Sequence, residues 1–335
     1  MDPLKYTDYV TTVNSSISIF VVPRLGHAHN GTETPARYRA VVTHNADPHA
    51  TTDVSATTAV TGETERPNRR PRSLIVSFFG TYGREIGGWV SVADLITVMA
   101  ELNVDAPAVR SAISRLKRRD MLVAERLAGV AGYRLSEAGM HILAAGDQRI
   151  FSREVARVSD GWVLVVFSVP ESQRRRRHLL RSRLTWLGFG TTAAGVWIAP
   201  AHLTETARQA LADLELASYA ELFHATHLGS TDLAAAVAQW WDLDQLDELY
   251  AGFLAEHEPV LATWRRRGAD ADRAAAFADH LRAVDAWRRM PFLDPGLPPE
   301  VLPRDWSGSR AARVFFDLHA LLREPGLRHV RAVTA

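Results

Sequence analysis

The stretch 105–123, DAPAVRSAISRLKRRDMLV, constrains the fold more than any other part of the chain. On a helix, Val109, Ala112, Ile113 and Leu116 fall at i, i+3, i+4 and i+7, one apolar stripe that must dock on a core. Ser111, Ser114, Arg115 and Arg118 turn away from that stripe, and Arg110 and Lys117 flank it. Asp105 is placed to cap the helix, Pro107 suits its first turn, and Met121-Leu122-Val123 reads as a strand leaving the helix at once. Helix, immediate strand and Gly-rich return is the layout of a winged helix-turn-helix, whose basic helix enters the DNA major groove. A basic helix face is equally what a solvated surface looks like, so the flanking segments have to decide.

Those segments supply the rest of such a module. Leu74, Ile75, Phe78, Phe79 and Tyr82 give a helix over 73–82 that Gly83 ends, and residues 66–72 form a short basic arm ahead of it. Gly87-Gly88-Trp89-Val90 reads as a turn and a short strand. Ser91 then caps a second helix, with Asp94 three residues on and Val92, Leu95, Ile96 and Met99 as its buried face. After the basic helix, strands at 122–127 and 133–135 are joined by 128–132, a Gly-containing hairpin of wing size whose Arg126, Tyr133 and Arg134 face phosphate or the minor groove. A further helix starts at Ser136 and runs to about residue 153.

From Gly161 the texture changes. WVLVVFSVP is a continuous β-rich apolar run, the mark of a strand buried on both faces. A helix over 171–186, strands at 187–190 and 195–200, a helix over 202–216 and a strand over 220–228 complete a β-α-β-β-α-β order, which is ferredoxin-like. Residues 231–335 read as helices, with a Pro-rich interruption at 291–308 and a last helix over 309–323. The expected fold is therefore α+β. Residues 1–66 form a disordered or loosely attached extension, 67–153 the winged helix-turn-helix, 154–230 the ferredoxin-like domain, and 231–335 a helical domain for dimerisation and effector sensing.

Composition narrows the function classes. Charged residues make up 23% and hydrophobic residues 47%, a soluble balance, and no apolar run reaches the roughly 20 residues of a spanning helix. Residues 17–23 are too short a run for a signal peptide, so the cytoplasm is the expected compartment. Cysteine is absent, which removes disulfides and thiolate chemistry. His27, His29, His44 and His49 lack the spacing of a metal site, and His224 and His227 fall on a strand where that spacing does not converge, so no metal and no cofactor are expected. The net charge of +1 conceals a basic 105–119 and an acid-dominated 232–258, which suits a nucleic-acid partner at one end.

Three motifs together resemble one family, the PaaX-type transcriptional regulators. PRSLIVSFFGTYG with AVRSAISRLKRRDMLV and YRLSEAG is similar to that family's winged-helix part. GWVLVVFSVPESQRRRRHLLRSRLTWLGFGTTAAGVWIAP is similar to its Cas2-like middle domain. DPGLPPEVLPRDWSG resembles its C-terminal signature at Asp294, Pro295, Leu297, Pro298, Leu302, Pro303, Trp306 and Gly308. The resemblance implies a homodimeric repressor of a catabolic operon, of the kind that controls phenylacetate breakdown, binding a palindromic operator in double-stranded DNA. It also implies release by an acyl-CoA effector such as phenylacetyl-CoA, whose pocket residues it does not identify.

On this account Arg110, Ser111, Ser114 and Arg115 face base edges and Lys117, Arg118 and Arg126 hold phosphates. Tyr133 and Arg134 add contacts from the hairpin, and no residue is catalytic. The rival is a metal-dependent nuclease of the Cas2 kind. Cas2 proteins end their first strand in Tyr-Asp, and the matching pair here is Phe167-Ser168, a hydroxyl where a hard cation needs a carboxylate. The run Arg174 to Arg177 spans a full helical turn, which favours surface arginines over a clamp on CoA phosphates or a second nucleic-acid contact.

Overall fold

The computed structural model describes residues 18–23, 38–43, 70–152, 154–229, 232–268 and 271–335, a mixed α/β chain that is predominantly helical. Strands β1 (Ser18–Pro23) and β2 (Tyr38–Thr43) pair with each other antiparallel. The rest of the expected N-terminal extension lies outside the described residues.

Helix α1 (Arg70–Thr81), strand β3 (Trp89–Ser91), helices α2 (Val92–Ala100) and α3 (Ala106–Arg118), and strands β4 (Leu122–Leu127) and β5 (Val130–Leu135) follow in the order the sequence suggests. The three strands form one antiparallel sheet in the order β3-β5-β4. Caps set the boundaries: the Ser91 hydroxyl accepts the Asp94 amide at 3.0 Å and donates back to its carboxylate at 2.6 Å. The expected basic arm is partly wrong, because Arg70 and Arg72 are already helical and Pro71 sits in the first turn, where it lacks no bond. Within α2, Val98 is buried and Val92 and Ile96 are half-buried, a small rotation of the expected face.

Helix α4 (Glu137–Phe151), capped by Ser136, leads to a four-stranded antiparallel sheet. It is built from β6 (Trp162–Phe167), α5 (Arg174–Trp186), β7 (Gly190–Ala193), β8 (Val196–Pro200), α6 (Thr204–Asp213) and β9 (Ala220–Ala225), in the strand order β7-β8-β6-β9. Strand β6 is central and buried on both sides. Val163 and Val165 pack with Leu180, Leu184 and Leu211 from the two helices, whereas Trp162 packs on the opposite side with Val237 and Trp241. Strand β7 begins at Gly190 and not at Leu187, because residues 187–189 still close the end of α5 through Leu187 N–H to Arg183 O and Phe189 N–H to Leu184 O.

The C-terminal part consists of α7 (Leu233–Trp240), α8 (Leu243–Arg267), α9 (Arg273–Trp287) and α10 (Gly308–Val333). The last helix runs ten residues past its expected end. Pro325 removes one backbone donor, yet Leu327 and Val330 beyond it are buried, and that packing carries the helix on.

The cores do not respect the domain limits drawn from sequence. Leu74, Ile75 and Phe78 of α1, Leu95 and Met99 of α2, and Ile113 and Leu116 of α3 share one cluster with Phe277 and Leu281 of α9 and Leu327 and Val330 of α10. Polar groups follow the same seam. Ser73 and Ser77 each donate to Asp285 at 2.7 Å, and Arg288 donates to Ser73 at 2.6 Å. The Pro-rich segment is fastened too: buried Asp294 accepts from Tyr250 Oη at 2.8 Å and from the Gly296 amide at 2.9 Å. Gly296, at φ 77°, hydrogen-bonds Ala156 between α4 and β6, and a Cβ there would meet the Glu154 carbonyl at 2.1 Å.

Candidate nucleic-acid interface

Helix α3 forms where its stripe and its cap agree. The Asp105 carboxylate accepts the Ala108 amide at 2.7 Å, and Val109, Ala112, Ile113 and Leu116 are all buried. At the other end Asp120 takes φ 54°, and its amide and that of Met121 return to Lys117 and Leu116, which closes the helix after Arg118. Ser136 locks that turn: its hydroxyl donates to the Asp120 carbonyl while accepting the Gly139 amide at 2.9 Å.

The side of α3 opposite the stripe is open. Arg110, Ser114, Lys117 and Arg118 are exposed, and Ser111 and Arg115 are half-buried. None of the four cations on this helix makes an ion pair with a carboxylate among the described residues. Arg115, Lys117 and Arg118 lie in the last turn, where they also oppose the negative end of the helix dipole. That accounts for part of their placement; Arg110, a turn or more earlier, gains nothing from it.

The hairpin is tighter than expected. Strand β5 begins at Val130 and not at Tyr133, because Ala128 and Gly129 alone make the turn, at φ 49° and 84°. Two left-handed residues match the strand twist and need no longer loop. Val123, Leu127 and Val130 are exposed along this arm. Of the expected hairpin contacts, Arg126 donates to the Gly129 carbonyl at 2.9 Å and Arg134 pairs with Glu125 at 2.9 Å, so both already have partners. Tyr133 is half-buried against the core of the module.

Sequence reasoning overlooked what stiffens this sheet. The Trp89 ring lies so close over Gly132 that a Cβ there would meet it at 2.4 Å, and the Trp89 indole donates to the Glu125 carbonyl at 3.3 Å. A glycine inside a strand was the available signal, since it marks close approach of another group. Also overlooked was Arg149. It donates to the Leu187 carbonyl at 2.7 Å and lies over the Phe292 ring at 4.9 Å, where burial, with help from Arg183, lowers its pKa to about 10.

The rival nuclease site has no such assembly. Ser168 follows β6, and the nearest acid, Glu171, is held by Arg177 at 2.7 Å. Among the described residues no three His, Cys, Asp or Glu side chains converge as metal ligands. His224 contacts the Asp160 carbonyl at 3.1 Å and His227 packs beside Trp240. No helix of the described residues is long and apolar enough to cross a membrane.

Comparison with known proteins gives consistent matches along the chain. Residues 70–139 match the family model described as PaaX-like protein, 156–237 the PaaX protein central Cas2-like domain, and 241–332 the PaaX-like protein C-terminal domain. The chain is 23% identical over 261 residues to the transcriptional repressor PaaX of Escherichia coli K12, covering 77% of this chain and 82% of that protein. In fold it is similar to the uncharacterized protein Rv0674 from Mycobacterium tuberculosis, with a TM-score of 0.52 at 24% identity over 79% of this chain and 98% of the other.

Proposed function

The chain belongs to the PaaX-like family, and from that premise we propose that it is a DNA-binding transcriptional repressor and not an enzyme. The observation that carries this is the geometry of α3: a helix anchored by four buried residues turns its cations and hydroxyls outward, half-buried or exposed, and among the described residues no carboxylate pairs with those cations. In this reading residues 67–153 are a winged helix-turn-helix, with α3 in the major groove and the β4–β5 hairpin beside it. Arg110, Ser111, Ser114 and Arg115 face base edges and Lys117 and Arg118 hold phosphates. Arg126, Tyr133 and Arg134 then act chiefly by shaping the hairpin, and Arg126 and Arg134 reach DNA only by exchanging their present partners.

Residues 154–230 and 231–335 dimerise and sense the effector, for which an acyl-CoA thioester such as phenylacetyl-CoA is the proposed class. A homodimer would read a palindrome with half-sites about one helical turn apart. Signal from the effector has a direct route, because α9 and α10 complete the core on which α3 sits.

A gel shift on the DNA upstream of the protein's own coding region, titrated with CoA thioesters and the matching free acids, tests this. Specific retardation that one thioester reverses and its acid does not is the expected result. Retardation no stronger than on unrelated duplex would remove the repressor reading.

A further inference from the structure

Arginine supplies almost all of the positive charge of this chain. Among its 39 Lys and Arg residues the only lysines are Lys5 and Lys117, and Lys117 alone falls within the described residues. Both side chains bind phosphate, and the forked guanidinium does so with the better geometry, so an electrostatic role by itself does not single out lysine on α3. What separates the two is chemistry. The lysine amine is a nucleophile once it loses its proton, and acylation turns it into a neutral amide, whereas arginine stays charged.

The position suits such a reaction. Lys117 is exposed in the last turn of α3, and its ammonium forms no ion pair or hydrogen bond with another described residue. Arg110, Ser114 and Lys117 fall at i, i+4 and i+7 and share one ridge of the helix. A charge removed at Lys117 is therefore removed from the face that carries Arg110 and Ser114. Arg118 and Arg119 beside it are exposed and Arg115 is half-buried, a cluster of cations that draws anionic reagents towards the amine. An acyl phosphate, the mixed anhydride of a carboxylic acid and phosphoric acid, is such a reagent, and its negative charge sits on the group that leaves.

We propose that Lys117 is an acylation site, modified by a small acyl phosphate, and that the modification releases the protein from DNA. Lys117 Nζ gives one proton to water and attacks the acyl carbon. A C–N bond forms, the acyl C–O bond to the phosphate breaks, and inorganic phosphate leaves with the bonding electrons and takes up a second proton from the nitrogen. Nothing is oxidised or reduced. The consequence for DNA rests on the reading of α3 given above; the acylation does not.

The test is incubation of the full chain with acetyl phosphate, peptide mass spectrometry of the product, and filter binding of duplex before and after treatment at several salt concentrations, on wild type and on K117R. The expected result is an acetyl group on Lys117 and a duplex affinity about tenfold lower at about 0.1 M salt for all sequences alike, because one phosphate contact contributes about 0.9 to the slope of log affinity against log salt. K117R, whose guanidinium takes no acetyl group, should keep after treatment the affinity it had before. K117Q, neutral like the amide, should show the lower affinity and the shallower slope without treatment. An unmodified Lys117 under conditions that acetylate free lysine overturns the proposal, and so does an equal fall in affinity in wild type and K117R. Untreated protein that binds no duplex removes the reading of α3 together with the switch, whereas duplex binding unchanged by full modification removes the switch alone.

Discussion

The phenol of Tyr82, just past the end of α1, lies 2.5 Å from Nδ1 of His280 in the middle of α9, 198 residues along the chain. The far nitrogen of His280 meets Nδ1 of His319 on α10 at 3.0 Å, and Phe151 of α4 packs on His319 at 4.9 Å. Two neutral imidazoles and the phenol satisfy one another, since each neutral ring both donates and accepts, whereas two charged rings would set N–H against N–H between His280 and His319. The end of α1 thus meets α9 and α10 on one polar thread inside an apolar junction, with α4 packed against it through Phe151. Arg323 and Glu85 close its outer end with an ion pair.

Tyr82→Phe keeps the ring and removes the hydroxyl, leaving Nδ1 of the fully buried His280 without its partner. The expected cost is about 1–3 kcal/mol. Urea unfolding should show a lower midpoint with an unchanged slope, and an unchanged midpoint would mean that the bond contributes nothing.

Acid should loosen the same junction. Burial, with the neighbouring Arg323, holds His319 at about 4, and burial next to His319 and Arg323 holds His280 well below the usual imidazole value of 6.5. Both pKa values are depressed in the fold, so the unfolded chain takes up protons first. Stability is complete above about pH 6.5 and is lost as the pH falls towards about 4. Unfolding free energy measured from pH 7.5 to 4.5 should decline over that window. The double substitution His280→Gln, His319→Gln should flatten the decline, and an equally steep profile would exclude these residues as its source.

Leu327 belongs to the last helix yet sits in the core beneath α1 to α3. Leu327→Ala should cost about 2–5 kcal/mol, and Leu321→Ala on the half-buried side of the same helix clearly less. If residues 67–153 fold independently of the C-terminal helices, proteolysis of the Leu327→Ala protein would leave that fragment intact and still able to bind duplex. We expect instead that both are lost together.

On α3, Arg115→Ala should flatten discrimination between operator and unrelated duplex by about 1–3 kcal/mol. Lys117→Ala should weaken binding to all sequences alike and reduce the slope of log affinity against log salt by about one. Filter binding at several salt concentrations separates the two effects. Unchanged affinity and slope in both variants would remove α3 from the interface.

Much of the local structure is legible in the sequence. The four buried residues of α3, the caps at Ser91, Asp105 and Ser136, and the doubly buried strand 162–167 each follow from periodicity or from the side chain's own reach. The exposed face of α3 follows too, being what remains once the stripe is docked. Harder to read were the two-residue turn at 128–129, where an alanine accepts a left-handed backbone, and the helix that continues through Pro325. In both cases contacts made elsewhere outweigh a residue's intrinsic preference.

What the amino-acid sequence determined by itself is which face of each element seeks burial, because a repeat of 3.6 or 2 residues is a property of the chain alone. Which surface meets that face depends on partners far away in sequence, and a period says nothing about them. Only the tertiary structure decided that Phe277, Leu281, Leu327 and Val330 complete the core under α3, and that Tyr82 finds His280. The physical reason is that apolar burial is non-directional. It rewards any complementary surface, and the choice among them is settled by shape and by the few polar groups that must be satisfied once water is gone.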